Sequence, residues 1–260
     1  MTDDKIRVES VSYRYRRRGR TDVDALSDVA LAVGKGEFIS VVGPSGCGKS
    51  TLLRVIAGLQ KPTGGQVRVR HDDTGRALMA PVFQEYSIFP WRTVEDNVRL
   101  GLDAAGTPRK EAEARSREWI DRVGLTGFES AYPGNLSGGM KQRVALARAF
   151  VVEPEILLMD EPFAALDAQL RKVLQEELLE IVREGRYTVF FVTHNLDEAI
   201  LLSDRIVLMS ARPGRVRRVF DVPFDRPRTP ELRKDSGFVT LEDEIWSELR
   251  GEVTADAGGE

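Results

Sequence analysis

Nine consecutive residues carry the clearest chemical pattern in the chain. Gly43, Pro44, Ser45, Gly46, Cys47, Gly48, Lys49, Ser50 and Thr51 fit G-x-x-x-x-G-K-[ST]. Glycines in such a run let successive backbone N–H groups turn inward and form a concave anion site. A helix starting at Lys49 would add its dipole and its first-turn amides. Lys49 would place a cation between terminal phosphates, Ser50 would offer a hydroxyl to Mg²⁺, and Thr51 would donate to an inner phosphate. Cys47 occupies an unconstrained position of the pattern and contributes its backbone amide.

A second signal lies at Ile156 to Glu161, where four apolar residues end in two adjacent acids. A buried strand ending this way delivers carboxylates to the C-terminal edge of a sheet, where open α/β folds bind ligands. Asp160 then suits a Mg²⁺ ligand. Glu161 points differently, because side chains alternate along a strand, and suits a general base acting on water. The third signal is Leu136 to Arg143, which reads LSGGMKQR. Ser137 is a good N-cap, and Gly138 and Gly139 open a helix. One fold rarely needs two anion-binding helix termini for one nucleotide, so the economical explanation is a nucleotide held by another copy.

The elements that position these residues alternate. Strands are expected at 6–11, 26–33, 37–42, 66–70 and 78–83, with a helix at 49–58. Residues from about 85 to 152 turn helical, with helices at 109–123 and 137–151. After them the pattern resumes with strands at 156–160, 188–193 and 205–210 and helices at 167–183 and 195–202. Short apolar strands alternating with amphipathic helices predict a mostly parallel sheet covered on both faces. A strand at 216–222 and a helix at 230–250 close the chain. We expect one domain over 5–250, with a core of about 5–84 and 153–222, a helical subdomain of about 85–152, a helical tail of about 229–250, and flexible residues 251–260.

Composition narrows the classes. The 260 residues carry 38 basic and 41 acidic side chains, a net charge of −3, which argues against a nucleic-acid binder relying on bulk charge. One cysteine rules out an internal disulfide and a multi-cysteine zinc site. No apolar run approaches the ~18 residues of a membrane span, and the acidic start lacks a signal-peptide pattern, so an intracellular protein is expected. Five arginines fall within Arg14 to Arg20. They read as a solvated hairpin tip or as a contact to phosphate or a lipid headgroup.

Taken together, these motifs resemble the ATP-binding cassette ATPases, the motor subunits of ABC transporters, over roughly residues 5–215. The family signature is LSGGQ, and here Met140 replaces the glutamine. The resemblance implies a P-loop NTPase core with an antiparallel β subdomain and an inserted helical subdomain. It implies ATP and Mg²⁺, the latter held by Ser50, Gln84 and Asp160. Gln84 matches the Q-loop glutamine, Ala165 to Asp167 the D-loop, and His194 the switch histidine that contacts the γ-phosphate. Tyr15 is placed like the aromatic that stacks on adenine, with Tyr13 close by. Lys49, Glu161 and His194 would be catalytic. Two copies, or a copy and a homologous ATPase, would sandwich two ATP molecules between residues 43–51 of one and Ser137–Gly139 of the other.

Within that family the chain reads as a separate ATPase serving separate membrane proteins. The 111 residues from Lys49 to Asp160 leave no space for the long coiled coil of chromosome-type members. Excision-repair members carry zinc cysteines, and translation-associated members usually carry two cassettes; a soluble ATPase of DNA repair or translation is the alternative reading. Residues 84–94 and 211–215 look like the nitrate, sulfonate and taurine importer group. That likeness implies permease subunits, an indirect solute-binding partner, no nucleic acid, and a peripheral place on the cytoplasmic face of the inner membrane. Phe89, Pro90 and Trp91 read either as part of a groove for the membrane partner or as core.

Overall fold

The structure is a computed structural model and describes residues 4–16, 19, 21–72, 75–85, 87–183 and 187–257. The chain divides into two compact units, Met1–Asp72 with Gln175–Glu260, and Asp73–Leu174.

In the first unit, β1 (Asp4–Tyr15), β2 (Val23–Gly34) and β4 (Gly64–Val69) form an antiparallel sheet in the order β2-β1-β4. β1 and β2 run further than the apolar alternation suggested. Their register shifts between Val8 and Val11 and again near Tyr13, and Ser10 and Asp28 take positive φ. Such bulges put polar residues out of phase, so the alternation looks finished before the strand is. Arg14 belongs to this ladder and pairs with the Asp24 carboxylate across the hairpin at 2.5 Å. Arg17, Arg18 and Arg20 of the arginine run lie outside the described residues.

The same unit holds β3 (Phe38–Val42), parallel to both β7 (Thr188–Val192) and β8 (Arg205–Met209). All residues of β3 and β7 are buried, as a strand covered on both faces requires. β9 (Val216–Asp221) runs antiparallel to β8, because the short link between them cannot make the crossover a parallel return needs. Helices α1 (Lys49–Ile56), α6 (Leu196–Leu202) and α7 (Ser236–Ala257) complete the unit. Ile200, Leu201, Phe220, Phe238, Leu241 and Ile245 share one buried cluster. Each such side chain contributes roughly 1.5–3 kcal/mol on full burial. The helix expected at 230–250 is split. A 3-10 turn at Pro230–Lys234 precedes α7, where the Asp235 carboxylate accepts from Gly237 N at 2.7 Å, and α7 itself continues to Ala257.

In the second unit, β5 (Met79–Val82) pairs in parallel with β6 (Ile156–Asp160). Helices α2 (Val94–Ala104), α3 (Arg109–Arg122) and α4 (Gly138–Phe150) lie between them in sequence; α5 (Ala168–Arg183) begins in this unit and runs past its end at Leu174. Trp119 of α3 stacks on Phe150 of α4 at 5.1 Å, with the Arg122 guanidinium 4.3 Å from the Trp119 ring centre. Among the described residues no helix is long and apolar enough to cross a membrane.

Candidate functional site

In the first unit, residues 43–48 link β3 to α1. Gly48 precedes α1 with φ 106°, and a Cβ there would meet Ala25 O at 2.6 Å, so glycine alone fits. The first turn of α1 begins at Lys49, as expected, and carries Lys49, Ser50 and Thr51 at the helix's positive end. The Lys49 ammonium donates to Gly43 O at 2.8 Å and Pro44 O at 2.9 Å, folding over the loop's own carbonyls. Cys47 is buried. Burial pushes its thiol pKa up, against the opposing pull of Lys49, which disfavours the reactive thiolate. Outside the loop, the Arg212 guanidinium donates to Gly46 O at 2.9 and 3.1 Å.

Two further residues of this unit were singled out in the sequence. Tyr15 lies half-buried, its hydroxyl 3.1 Å from Thr51 Oγ1, its ring edge-on to Tyr13 at 4.8 Å. His194 follows β7. Val41 pairs with Val192 in the parallel β3–β7 register, so Gly43 and His194 leave neighbouring strands at the same C-terminal edge. Adjacent strands lie about 4.8 Å apart. The turn carrying His194 is pinned from both sides. Thr193 Oγ1 donates to the buried Glu198 carboxylate at 2.8 Å and accepts from Asn195 N, while Asn195 caps α6 through Glu198 N. The exposed His194 borders a cavity of about 450 Å³ shared with Glu242, Asp243 and Trp246 of α7.

The second unit repeats the pattern with acids. Val82 pairs with Met159 in the parallel β5–β6 register, so Gln84 and Glu161 emerge side by side two residues later. Gln84 Nε2 donates to Glu161 Oε2 at 3.4 Å. Asp160, the last residue of β6, is 1% exposed. Glu161 has φ +50°, an uncommon conformation for a non-glycine residue and the kind of local strain that clusters at functional positions. Ser137 caps α4, its hydroxyl accepting from Met140 N at 3.2 Å, with Gly138 and Gly139 as the first helical residues. Ser137 and Gly138 are exposed, so that helix terminus lies at the surface of the unit. Asp167 serves as a cap as well, accepting from Gln169 N and Leu170 N.

Ser50 in the first unit, and Gln84 and Asp160 in the second, each carry the kind of oxygen donor taken by a hard divalent cation such as Mg²⁺, which uses one or two protein oxygens and fills its shell with water and phosphate.

Sequence reading missed Asn97. This α2 residue is fully buried. Its Oδ1 accepts from Phe89 N at 2.7 Å, and its Nδ2 reaches Phe89 O, Arg92 O and Thr93 O at 2.8–3.1 Å. A polar residue on an otherwise apolar helix face was the available signal. Asn97 thereby shapes the loop that presents Trp91, which is 70% exposed and packs against Phe89 with ring centres 5.3 Å apart and planes tilted by 55°. That exposure removes the core reading for Trp91.

Comparison with known proteins accords with these motifs. Residues 26–164, more than half of the chain, match the family described as ABC transporter. The aliphatic sulfonates import ATP-binding protein SsuB of Bacillus cereus is 44% identical over 87% of this chain and 90% of its own length. The nitrate import ATP-binding protein NrtD of Synechocystis sp. is 42% identical over 91% and 92%. The ATP-binding cassette MJ0796, solved as a dimer in a post-hydrolysis state bound to ADP and Pi, superposes with a TM-score of 0.75 at 33% identity, covering 85% of this chain and all of that one. By sequence and by fold, the chain belongs to the ABC transporter family.

Proposed function

We propose that the chain is the ATP-hydrolysing subunit that powers a membrane ABC importer. The observation that carries this reading is the loop at 43–48, with the Lys49 ammonium folded over its carbonyls and His194 leaving the adjacent strand at the same sheet edge. Lys49 would exchange the Gly43 and Pro44 carbonyls for terminal phosphate oxygens. Tyr15 would support the adenine, and the amides of residues 43–51 would take the phosphates. Ser50, Gln84 and Asp160 would hold Mg²⁺, which supplies charge neutralisation at the phosphates when bound.

Glu161 would accept a proton from the attacking water as its oxygen bonds to the γ-phosphorus and the bond to the ADP oxygen breaks. His194 would hold the γ-phosphate in line. These are positioning and electrostatic roles, the main levers available for phosphoryl transfer. Ser137, Gly138 and Gly139 would cap the nucleotide bound to a second copy or a homologous ATPase, a reading supported by the exposed α4 terminus and by the dimeric state of the solved relative.

The names of SsuB and NrtD support import of a small solute such as an aliphatic sulfonate or nitrate. Permease subunits would then be direct partners and a solute-binding protein an indirect one, and the chain would sit peripherally on the cytoplasmic face of the membrane. Exposed Trp91 is the contact we assign to the permease. No observation favours the repair or translation alternative. The reading is tested by measuring Mg²⁺-dependent ATP hydrolysis by the purified chain, alone and co-expressed with candidate permeases. No affinity for Mg-ATP in either preparation would refute it.

A further inference from the structure

The phosphate loop is gripped from outside by the segment 211–214, which lies apart from the nucleotide-binding motifs in sequence. Arg212 directs two N–H groups at one acceptor, Gly46 O, at 2.9 and 3.1 Å. The next residues close on the same loop: a Cβ at Gly214 would lie 2.0 Å from Cys47 O, so only glycine permits the approach. Gly214 is itself fastened to β2, donating to Ala25 O at 2.9 Å and accepting from Ser27 N at 3.0 Å.

The peptide unit between Gly46 and Cys47 is planar. Holding its C=O toward Arg212 therefore fixes its N–H on the opposite, inner side of the loop, where Cys47 N already points at Pro44 O. Lys49 holds the carbonyls of Gly43 and Pro44, but it would leave them for phosphate when nucleotide binds. Arg212 has no such conflict, because its acceptor faces away from the anion cradle.

The segment is anchored in turn by the C-terminal helix. Ala211 N donates to the Glu252 carboxylate of α7 at 3.0 Å. Glu252 is buried and also binds Arg217 of β9 at 2.9 Å. One carboxylate thus ties α7 and β9 to the residue immediately before Arg212.

We propose that Arg212 is a positioning residue that presets the phosphate loop for nucleotide, and that Glu252 of the C-terminal helix positions Arg212. This rests on the nucleotide site proposed above. A preset loop spends less of its binding free energy on ordering, so the role belongs to nucleotide affinity rather than to the chemical step.

The test uses the full-length chain and measures KM for Mg-ATP, kcat and thermal unfolding for wild type, Arg212→Ala, Arg212→Lys, Glu252→Ala and the Arg212→Ala/Glu252→Ala double variant. Arg212→Ala should raise KM about tenfold, the scale of a charge-assisted bond, with kcat within about twofold. Arg212→Lys, which keeps the charge and loses the fork, should recover part of the affinity. Glu252→Ala should raise KM less, and the double variant should match Arg212→Ala, as members of one chain of contacts do. An unchanged KM in folded Arg212→Ala, a fall in kcat alone, or additive effects in the double variant would overturn the proposal. If Arg212→Ala does not fold, an unchanged KM in Arg212→Lys overturns it. A wild-type chain that neither binds nor hydrolyses Mg-ATP would instead sink the underlying nucleotide reading.

Discussion

Gln84 Nε2 lies 3.4 Å from Glu161 Oε2, a contact between residues 77 positions apart in sequence. It arises because β5 and β6 are parallel neighbours in a register that releases both side chains together. The amide faces the carboxylate that we assign as general base, so loss of the charge should leave the pair's geometry while removing the proton acceptor. Glu161→Gln should bind Mg-ATP yet hydrolyse it at least ~100-fold more slowly, given typical general-base contributions. Single-turnover hydrolysis beside equilibrium nucleotide binding separates the two effects, and near-normal turnover would remove Glu161 from the role.

A carboxylate at an α-helix N-terminus stabilises the helix but repels a triphosphate. Gly138→Asp places one on the exposed first turn of α4. Folding should be retained while ATP-dependent pairing of two copies is lost and turnover falls about 100-fold, the scale on which a lost transition-state donor is felt. Light scattering with Mg-ATP in the Glu161→Gln background reads the pairing. A dimer of undiminished stability would argue that this terminus does not face nucleotide.

Trp91 offers a large apolar surface on a loop fastened by Asn97. Trp91→Glu should abolish co-purification with the permease and uncouple transport while ATP binding by the isolated subunit persists. Transport by reconstituted vesicles at the wild-type rate would exclude Trp91 from the interface.

Asn97→Ala removes the side-chain partners of Phe89 N and Arg92 O, while Phe89 O and Thr93 O keep backbone donors. Stability should fall by about 2 kcal/mol, seen as a drop in Tm of roughly 5 °C. A shift under 1 °C would mean that the loop finds other partners.

Asp72 gives a pH-dependent prediction. Hydrogen bonds from Lys35 and Lys5 hold its carboxyl well below the usual carboxylate range, outweighing burial, and Lys5 is itself buried, 3.1 Å from Asp72. A depressed folded pKa stabilises the native state above the unfolded value of about 3.9, and that contribution is lost as pH falls toward the folded value. Asp72→Asn should therefore cost about 3 kcal/mol at pH 7, and the gap to wild type should narrow below about pH 4. Urea midpoints of both proteins across that range decide it; a gap constant with pH would remove the ion pair as its cause.

What the sequence determined was local. The loop at 43–51, the cap at Ser137 and the run of four apolar residues ending in Asp160 and Glu161 are contiguous, and their conformations follow from glycine freedom, capping and apolar patterning over a few residues. Each appears in the structure with the element expected around it. Tertiary structure decided adjacency: that His194 leaves the strand beside Gly43, that Gln84 meets Glu161, that Asn97 ties down the Trp91 loop, and that Arg212 holds Gly46 across 166 positions of chain. Bulges at Ser10 and Asp28 concealed the length of β1 and β2 for a related reason, since the polar residues there answer to a partner strand. Strand order and register come from the burial of whole faces against distant segments, and no short window of residues contains that information.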